Sequence, residues 1–163
     1  PKVAHIHDFG ANDNYAFIAM EYFPAGDLRG RIRAGLAPGE ALGLLGDMAE
    51  ALGVLHRAGV LHRDLKPGNV MLREDGSVAL IDFGMSKQFE LDASSGGEIF
   101  GTPYYMSPEQ GHGRPTDERS DLYALGVIFH EMLTGQKPFS ADTPMKVIWQ
   151  HANAPRPVLQ PPL

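Results

Sequence analysis

The stretch His62-Arg63-Asp64-Leu65-Lys66-Pro67-Gly68-Asn69 brings a carboxylate, an ammonium and a carboxamide together, and Asp82-Phe83-Gly84 adds a second carboxylate shortly afterwards. Phosphoryl transfer needs an aligned hydroxyl, charge neutralisation on the moving group and a metal held against phosphate oxygens. Residue types that meet each need are present here. A cluster of this kind can also be a solvated polar turn, so the elements around it decide between the two readings.

Tyr15 to Tyr22 is a short apolar and aromatic run suited to a buried strand, and Lys2 to His7 can pair with it across Asn12-Asp13-Asn14. Pro24-Ala25-Gly26-Asp27 then breaks the pattern and opens a helix over Leu28 to Ala34. Pro38 suits a first helical position; Leu42, Leu45, Met48, Leu52 and Leu55 follow at three- or four-residue steps, and Gly59 is the stop. Val70 to Arg73 and Val78 to Ile81 flank Glu74-Asp75-Gly76-Ser77, a hairpin with an Asp-Gly turn. The two polar clusters bracket that hairpin.

From Gly84 to Glu109 periodicity fails and Ser, Gly and Pro accumulate, which in so long a loop implies function or disorder rather than scaffold. Ser120 to Leu133 reads as a helix apolar nearly all round, hence central and buried. A last helix is predicted from Pro144 to His151, before Pro155, Pro157, Pro161 and Pro162 impose an extended backbone.

With 163 residues, 43% of them hydrophobic and 21% charged, the chain suits one globular domain with its own core. A net charge of −6 excludes the basic footprint of a nucleic-acid binder. With no cysteine there is neither a disulfide framework nor a thiolate metal site, which fits a reducing, cytoplasmic setting. The most apolar stretch, Leu122 to Leu133, carries His130 and Glu131 and is too short to span a bilayer. No secretory leader pattern opens the sequence, and its start at Pro1 rather than Met suggests a piece of something longer.

The two polar clusters, in this order and with this spelling, resemble the catalytic loop and metal-binding motif of protein kinases. Gly101-Thr102-Pro103-Tyr104-Tyr105-Met106-Ser107-Pro108-Glu109 is similar to the end of a kinase activation segment, with Ser107 in place of the usual alanine. Leu65-Lys66-Pro67 favours the Ser/Thr type, and the Ser-Pro-Glu-Gln spelling resembles bacterial eukaryotic-like (Hanks-type) kinases. The resemblance implies an α+β kinase-like fold: residues 1–22 as the last strands of the N-terminal lobe and the hinge, and 23–152 as the mainly helical C-terminal lobe. Within that lobe fall a catalytic loop at 62–69, an activation segment at 82–109 and a central helix at 120–133; residues 153–163 form an extended proline-rich end.

By the same resemblance Asp64 orients the substrate hydroxyl and accepts its proton, Lys66 neutralises charge on the γ-phosphoryl, and Asn69 and Asp82 hold magnesium, or manganese in its place. Thr102 would touch Asp64 and Lys66 and help select a Ser/Thr hydroxyl. ATP would lie against a hinge with Met20 as gatekeeper, the backbones of Glu21 and Phe23 facing adenine, Asp27 near the ribose and Met71 as floor. Phe83 would stack between His62 and a hairpin residue, taken to be Ile6. Asp121 would bond the catalytic-loop backbone, although a simple helix cap is the competing role.

Arg63 would pair with a phosphate on the activation loop, with Ser94 and Ser95 the best acceptors and Glu98 a possible charge mimic. Protein Ser/Thr hydroxyls are the implied substrates, self-phosphorylation in trans included, with no nucleic-acid partner. The glycine-rich loop, its lysine partner and the αC glutamate have no counterpart and would lie upstream of Pro1; missing later helices would leave Glu109 unpaired. Asp8-Phe9-Gly10 repeats the metal-motif letters with no catalytic loop before it and reads as structural. His5 and His7 share a strand face without a third ligand, so no zinc is assigned. A pseudokinase or docking scaffold is the alternative function, opposed by intact Asp64, Asn69 and Asp82.

Overall fold

The computed structural model describes residues 2–12, 15–83 and 103–159. Along them run β1 (Ile6–Ala11), β2 (Ala16–Met20), α1 (Leu28–Ala34), α2 (Pro38–Arg57), β3 (Val70–Leu72), β4 (Val78–Leu80), α3 (Pro108–Gly111), α4 (Glu118–Thr134) and α5 (Pro144–Asn153). Short 3-10 turns occupy Pro67–Asn69 and Pro103–Tyr105. The strands form two antiparallel hairpins, β1 with β2 and β3 with β4.

The first hairpin sits later in the chain than its composition suggests. Lys2 to Ala4, expected to pair with Tyr15 to Tyr22, instead run beside β4: Leu80 N–H donates to the Lys2 carbonyl at 3.1 Å and Ala4 N–H to the Leu80 carbonyl at 3.0 Å. Two contacts favour that choice. Val3 packs on the core, and the Lys2 ammonium reaches Asp47 and Glu50 of α2, each at 2.9 Å. Ile6 consequently lies outside the core at 48% exposure, so the place expected for it beneath Phe83 is not its own. Val3 and Phe83 are the residues of these two segments that pack against the core.

The core lies between α2, α4 and the second hairpin, where Met48, Leu52, Ile128, Val70, Val78 and Leu80 are sealed from solvent. On α2 the buried stripe is Ala41, Leu44, Met48, Ala51, Leu52 and Leu55. Leu42, placed on that stripe by its spacing, is 60% exposed, because one residue of helix turns the side chain by about 100°. Ala41 and Ala51 take the contact positions, since small side chains let neighbouring elements approach closely.

Helix α4 begins two residues before Ser120, capped by Asp117, whose side chain accepts from Arg119 N–H at 2.9 Å. It ends at Gly135, whose φ of 69° suits a residue without Cβ. Its burial is one-sided rather than complete: Ala124, Ile128 and Met132 face inward while Leu122 is 52% exposed. Helix α3, unforeseen within the aperiodic region, starts with a reciprocal capping box between Ser107 and Gln110 and has Pro108 in its first turn. The Ser-x-x-Gln spacing was its sequence signal. A Cβ on Gly111 would come within 2.5 Å of Ile148 Cγ2, so glycine is what lets α3 lie against α5. Among the described residues no helix is long and apolar enough to cross a membrane.

Candidate active site

The loop joining α2 to β3 is held from beneath by Asp121, which is 2% exposed. Its carboxylate accepts the N–H of His62 at 2.9 Å and of Arg63 at 2.8 Å, and meets His56 Nε2 at 2.8 Å. The helix-cap role considered for Asp121 belongs to Asp117 instead. Arg63 adopts a φ of 66°, a left-handed conformation that costs a residue with a long side chain. It is fastened on both sides, for its N–H is donated to Asp121 and its carbonyl accepts from Gln110 Nε2 at 2.8 Å. Arg63 Nε is buried with no hydrogen-bond partner among the described residues.

This clamp presents Asp64. Its carboxylate accepts from Lys66 Nζ at 2.6 Å and from Asn69 Nδ2 at 3.2 Å, and the same amide nitrogen donates to the Asp64 carbonyl at 2.8 Å. Asn69 is buried, whereas the Asp64 and Lys66 side chains stay about one third exposed, at 33% and 35%. With both donated bonds made through Nδ2, the Asn69 carboxamide oxygen is left as a potential ligand atom.

The second hairpin brings Asp82 to the same place. Val70 pairs with Leu80 across β3 and β4, and Ile81 N–H donates to the Asn69 carbonyl at 3.0 Å. Asp82 therefore emerges beside the catalytic-loop amide, exposed, with a φ of 56° that turns the chain away from the strand. Asn69 is thus bonded both to Asp64 and to the segment that carries Asp82.

The protein kinase domain model matches residues 1–159. The chain belongs to the protein kinase family. It is 40% identical to the serine/threonine-protein kinase pkn2 of Myxococcus xanthus over 94% of its own length and 20% of that protein. To a probable serine/threonine-protein kinase of Clostridium perfringens it is 38% identical, covering 93% of this chain and 22% of the relative. To the serine/threonine-protein kinase PknB of Mycolicibacterium smegmatis the identity is 35%, over 93% of the chain and 26% of the relative. The chain thus spans about a fifth to a quarter of the length of these curated relatives. Members of this family in general use ATP and a divalent metal.

In this kinase domain the segment expected to serve as hinge follows β2. Glu21 N–H is donated to the His5 carbonyl at 2.9 Å, so a ligand could meet that peptide only through its own carbonyl. Burial works to raise the Glu21 carboxyl pKa, but the His5 N–H and Arg73, 2.8 Å away, outweigh it and hold the value below the ordinary range. Phe23 is buried with Arg73 over its ring at 5.6 Å, which leaves only its backbone to face a ligand. Asp27 caps α1 through Gly30 N–H at 2.9 Å and forms a β-bridge with Met71, and Leu72 N–H donates to the Gly26 carbonyl at 2.9 Å. Those bonds bring Gly26, Asp27 and Met71 together; Met20, at the end of β2, is half-buried.

Glu109 is not left unpaired as expected, for its carboxylate accepts from the Ser120 hydroxyl. Burial pushes its pKa up, but the Ser120 bond, its own backbone N–H and Ser107 together pull it below the ordinary carboxylate value. Thr102, Ser94, Ser95 and Glu98 lie outside the described residues. Sequence reasoning passed over His56, Gln110 and Ser120, which tie the catalytic loop and α3 to α4. Only Gln110 carried a signal, its capping-box spacing.

Two buried histidines are expected to make the domain sensitive to acid. Burial lowers the His62 pKa below 6.5, against the opposing pull of Asp121 and Asp64. Burial likewise lowers that of His151, opposed by the Pro103 and Tyr104 carbonyls. A histidine depressed in the folded state contributes fully above its unfolded pKa of about 6.5 and loses that contribution as pH falls below it, because the unfolded chain then takes up the proton. Stability is expected to hold from pH 8 to 7 and to decline below about pH 6.5, at most about 1.4 kcal/mol per pH unit for each histidine. Urea midpoints at pH 7.5 and 5.5 check this; a His62→Phe variant with an unchanged difference between them would remove His62 from the account.

Proposed function

We propose that the protein carrying this chain transfers the γ-phosphoryl of magnesium-bound ATP to serine and threonine hydroxyls of proteins, self-phosphorylation in trans included, and does so in the cytoplasm. The observation that carries this reading is Asn69, whose side-chain nitrogen donates to the Asp64 carboxylate and whose backbone carbonyl accepts from Ile81 N–H. It links the proton-accepting carboxylate to the segment bearing Asp82.

The donor set fits a hard divalent ion, since the free oxygen of Asn69 and the exposed carboxylate of Asp82 are oxygen ligands of the kind magnesium prefers. When bound, the metal–nucleotide complex supplies the phosphoryl group and neutralises its charge. Asp64 then aligns the acceptor hydroxyl and takes its proton at the carboxylate. Lys66, already 2.6 Å from that carboxylate, offsets charge on the phosphoryl oxygens. Asp121 keeps the loop in its left-handed turn so that Asp64 needs no rearrangement.

Radiolabel transfer from ATP to a mixed Ser/Thr peptide pool tests the reading on the full protein. Incorporation is expected with magnesium, with manganese as a working substitute, and none after chelation by EDTA. Asp82→Ala should need far more metal for the same rate. Transfer that survives chelation undiminished would overturn the assignment of Asn69 and Asp82 as metal ligands.

A further inference from the structure

Arg29 is the second residue of α1, and its side chain is exposed. Its guanidinium lies directly on Gly68, between Lys66 and Asn69 of the catalytic loop: a Cβ at position 68 would collide with Nη2 and stand 3.1 Å from Cζ. Arg29 therefore stands on the catalytic loop at Gly68, two residues after Lys66, whose ammonium bonds the Asp64 carboxylate.

Local structure gives little reason for a cation there. The first turn of a helix disfavours positive charge, and α1 has no acidic residue in that turn. Arg31, two positions on, is paired with Glu40 at 2.6 Å, and Lys66 with Asp64. Among the described residues no carboxylate lies within ion-pairing distance of Arg29. A guanidinium with its donors open to solvent binds carboxylate or phosphate oxygens in a two-pronged fashion.

We propose that Arg29 is a specificity-determining residue that selects protein substrates with an anionic side chain close to the acceptor hydroxyl, the guanidinium over Gly68 being its docking point. The absence of a side chain at Gly68 is what lets the guanidinium lie so close to the loop, while the Arg29 side chain stays exposed to solvent. The proposal rests on the kinase reading above and names the class of substrate for the same site.

The test uses the full protein with magnesium-ATP and a positional peptide library around one serine, each flanking position carrying Asp, phosphoserine, Ala or Lys. At one or more positions near the acceptor the wild type is expected to favour an anionic residue over Ala about tenfold in kcat/KM, and the Asp and phosphoserine arms report which anion it prefers. Arg29→Ala should abolish the preference, Arg29→Lys restore part of it, and Arg29→Glu shift it toward Lys, all with the KM for ATP unchanged. Equal selectivity in the wild type and Arg29→Glu overturns the proposal while leaving the kinase reading intact. A raised KM for ATP with unchanged peptide selectivity also overturns it, assigning Arg29 to the nucleotide. A wild type that labels no peptide at all fails the kinase reading first and this proposal with it.

Discussion

Asp64→Asn is expected to lower phosphoryl transfer by roughly 10²- to 10⁴-fold, the usual contribution of a positioned general base. The substitution keeps size and shape. Asn can still accept a bond from Lys66 through one oxygen, but it cannot take a proton from the acceptor hydroxyl. The side chain is 33% exposed, so folding stability should change by no more than about 0.5 kcal/mol. Rate and stability are thus separable in one variant. Initial rates at saturating ATP, set beside a urea melt of the same preparation, check both halves. A variant with wild-type turnover would discard Asp64 as base and revive the reading of this chain as a scaffold without catalysis.

Asp121→Ala should do the opposite, harming the fold first. Its carboxylate satisfies the N–H groups of His62 and Arg63 and meets His56 from within the core, at 2% exposure. Each buried donor left without a partner costs about 1–3 kcal/mol, so a loss of about 2–6 kcal/mol is expected for the pair. The left-handed turn at Arg63 loses its anchor on the N–H side, with only Gln110 holding the carbonyl. Residual activity should fall as well, because Asp64 follows directly in that loop. Thermal unfolding and amide hydrogen exchange at residues 62–64 measure the two effects. Unchanged exchange there would mean that the loop holds its turn without α4.

How much of this was open to reading along the chain depends on the range of the interaction. The second hairpin, the boundaries of α1 and the start of α2 follow from neighbours a few positions apart: Asp75-Gly76 for the turn, Asp27 and Pro38 for the helix starts. The chemistry-bearing groups were equally legible, because Asp64, Lys66 and Asn69 sit within one short loop whose residue types imply their company. Its internal bonds, from Lys66 and Asn69 to Asp64, span no more than five positions.

Other features were settled only by competition between distant surfaces. Lys2 to Ala4 could satisfy strand pairing with either β2 or β4, and the pocket for Val3 and the acids of α2 favoured β4. Leu42 and Ala41 are neighbours on one helix, and only the packing of α2 in the fold selects the smaller for burial. Asp121 had two local roles open to it; the position of the catalytic loop, more than fifty residues earlier in the chain, assigns the buried one.

By itself the sequence determined which groups are candidates for phosphoryl transfer and the short turns that carry them, because backbone preferences and hydrogen bonds between near neighbours act wherever the chain lies. Tertiary structure alone decided that Asp82 emerges beside Asn69, that Asp121 and Gln110 grip Arg63 from opposite sides, and that Arg29 rests on Gly68. Those contacts join residues whose separation along the chain carries no information about their distance in space, and burial of the shared core is what brings them together.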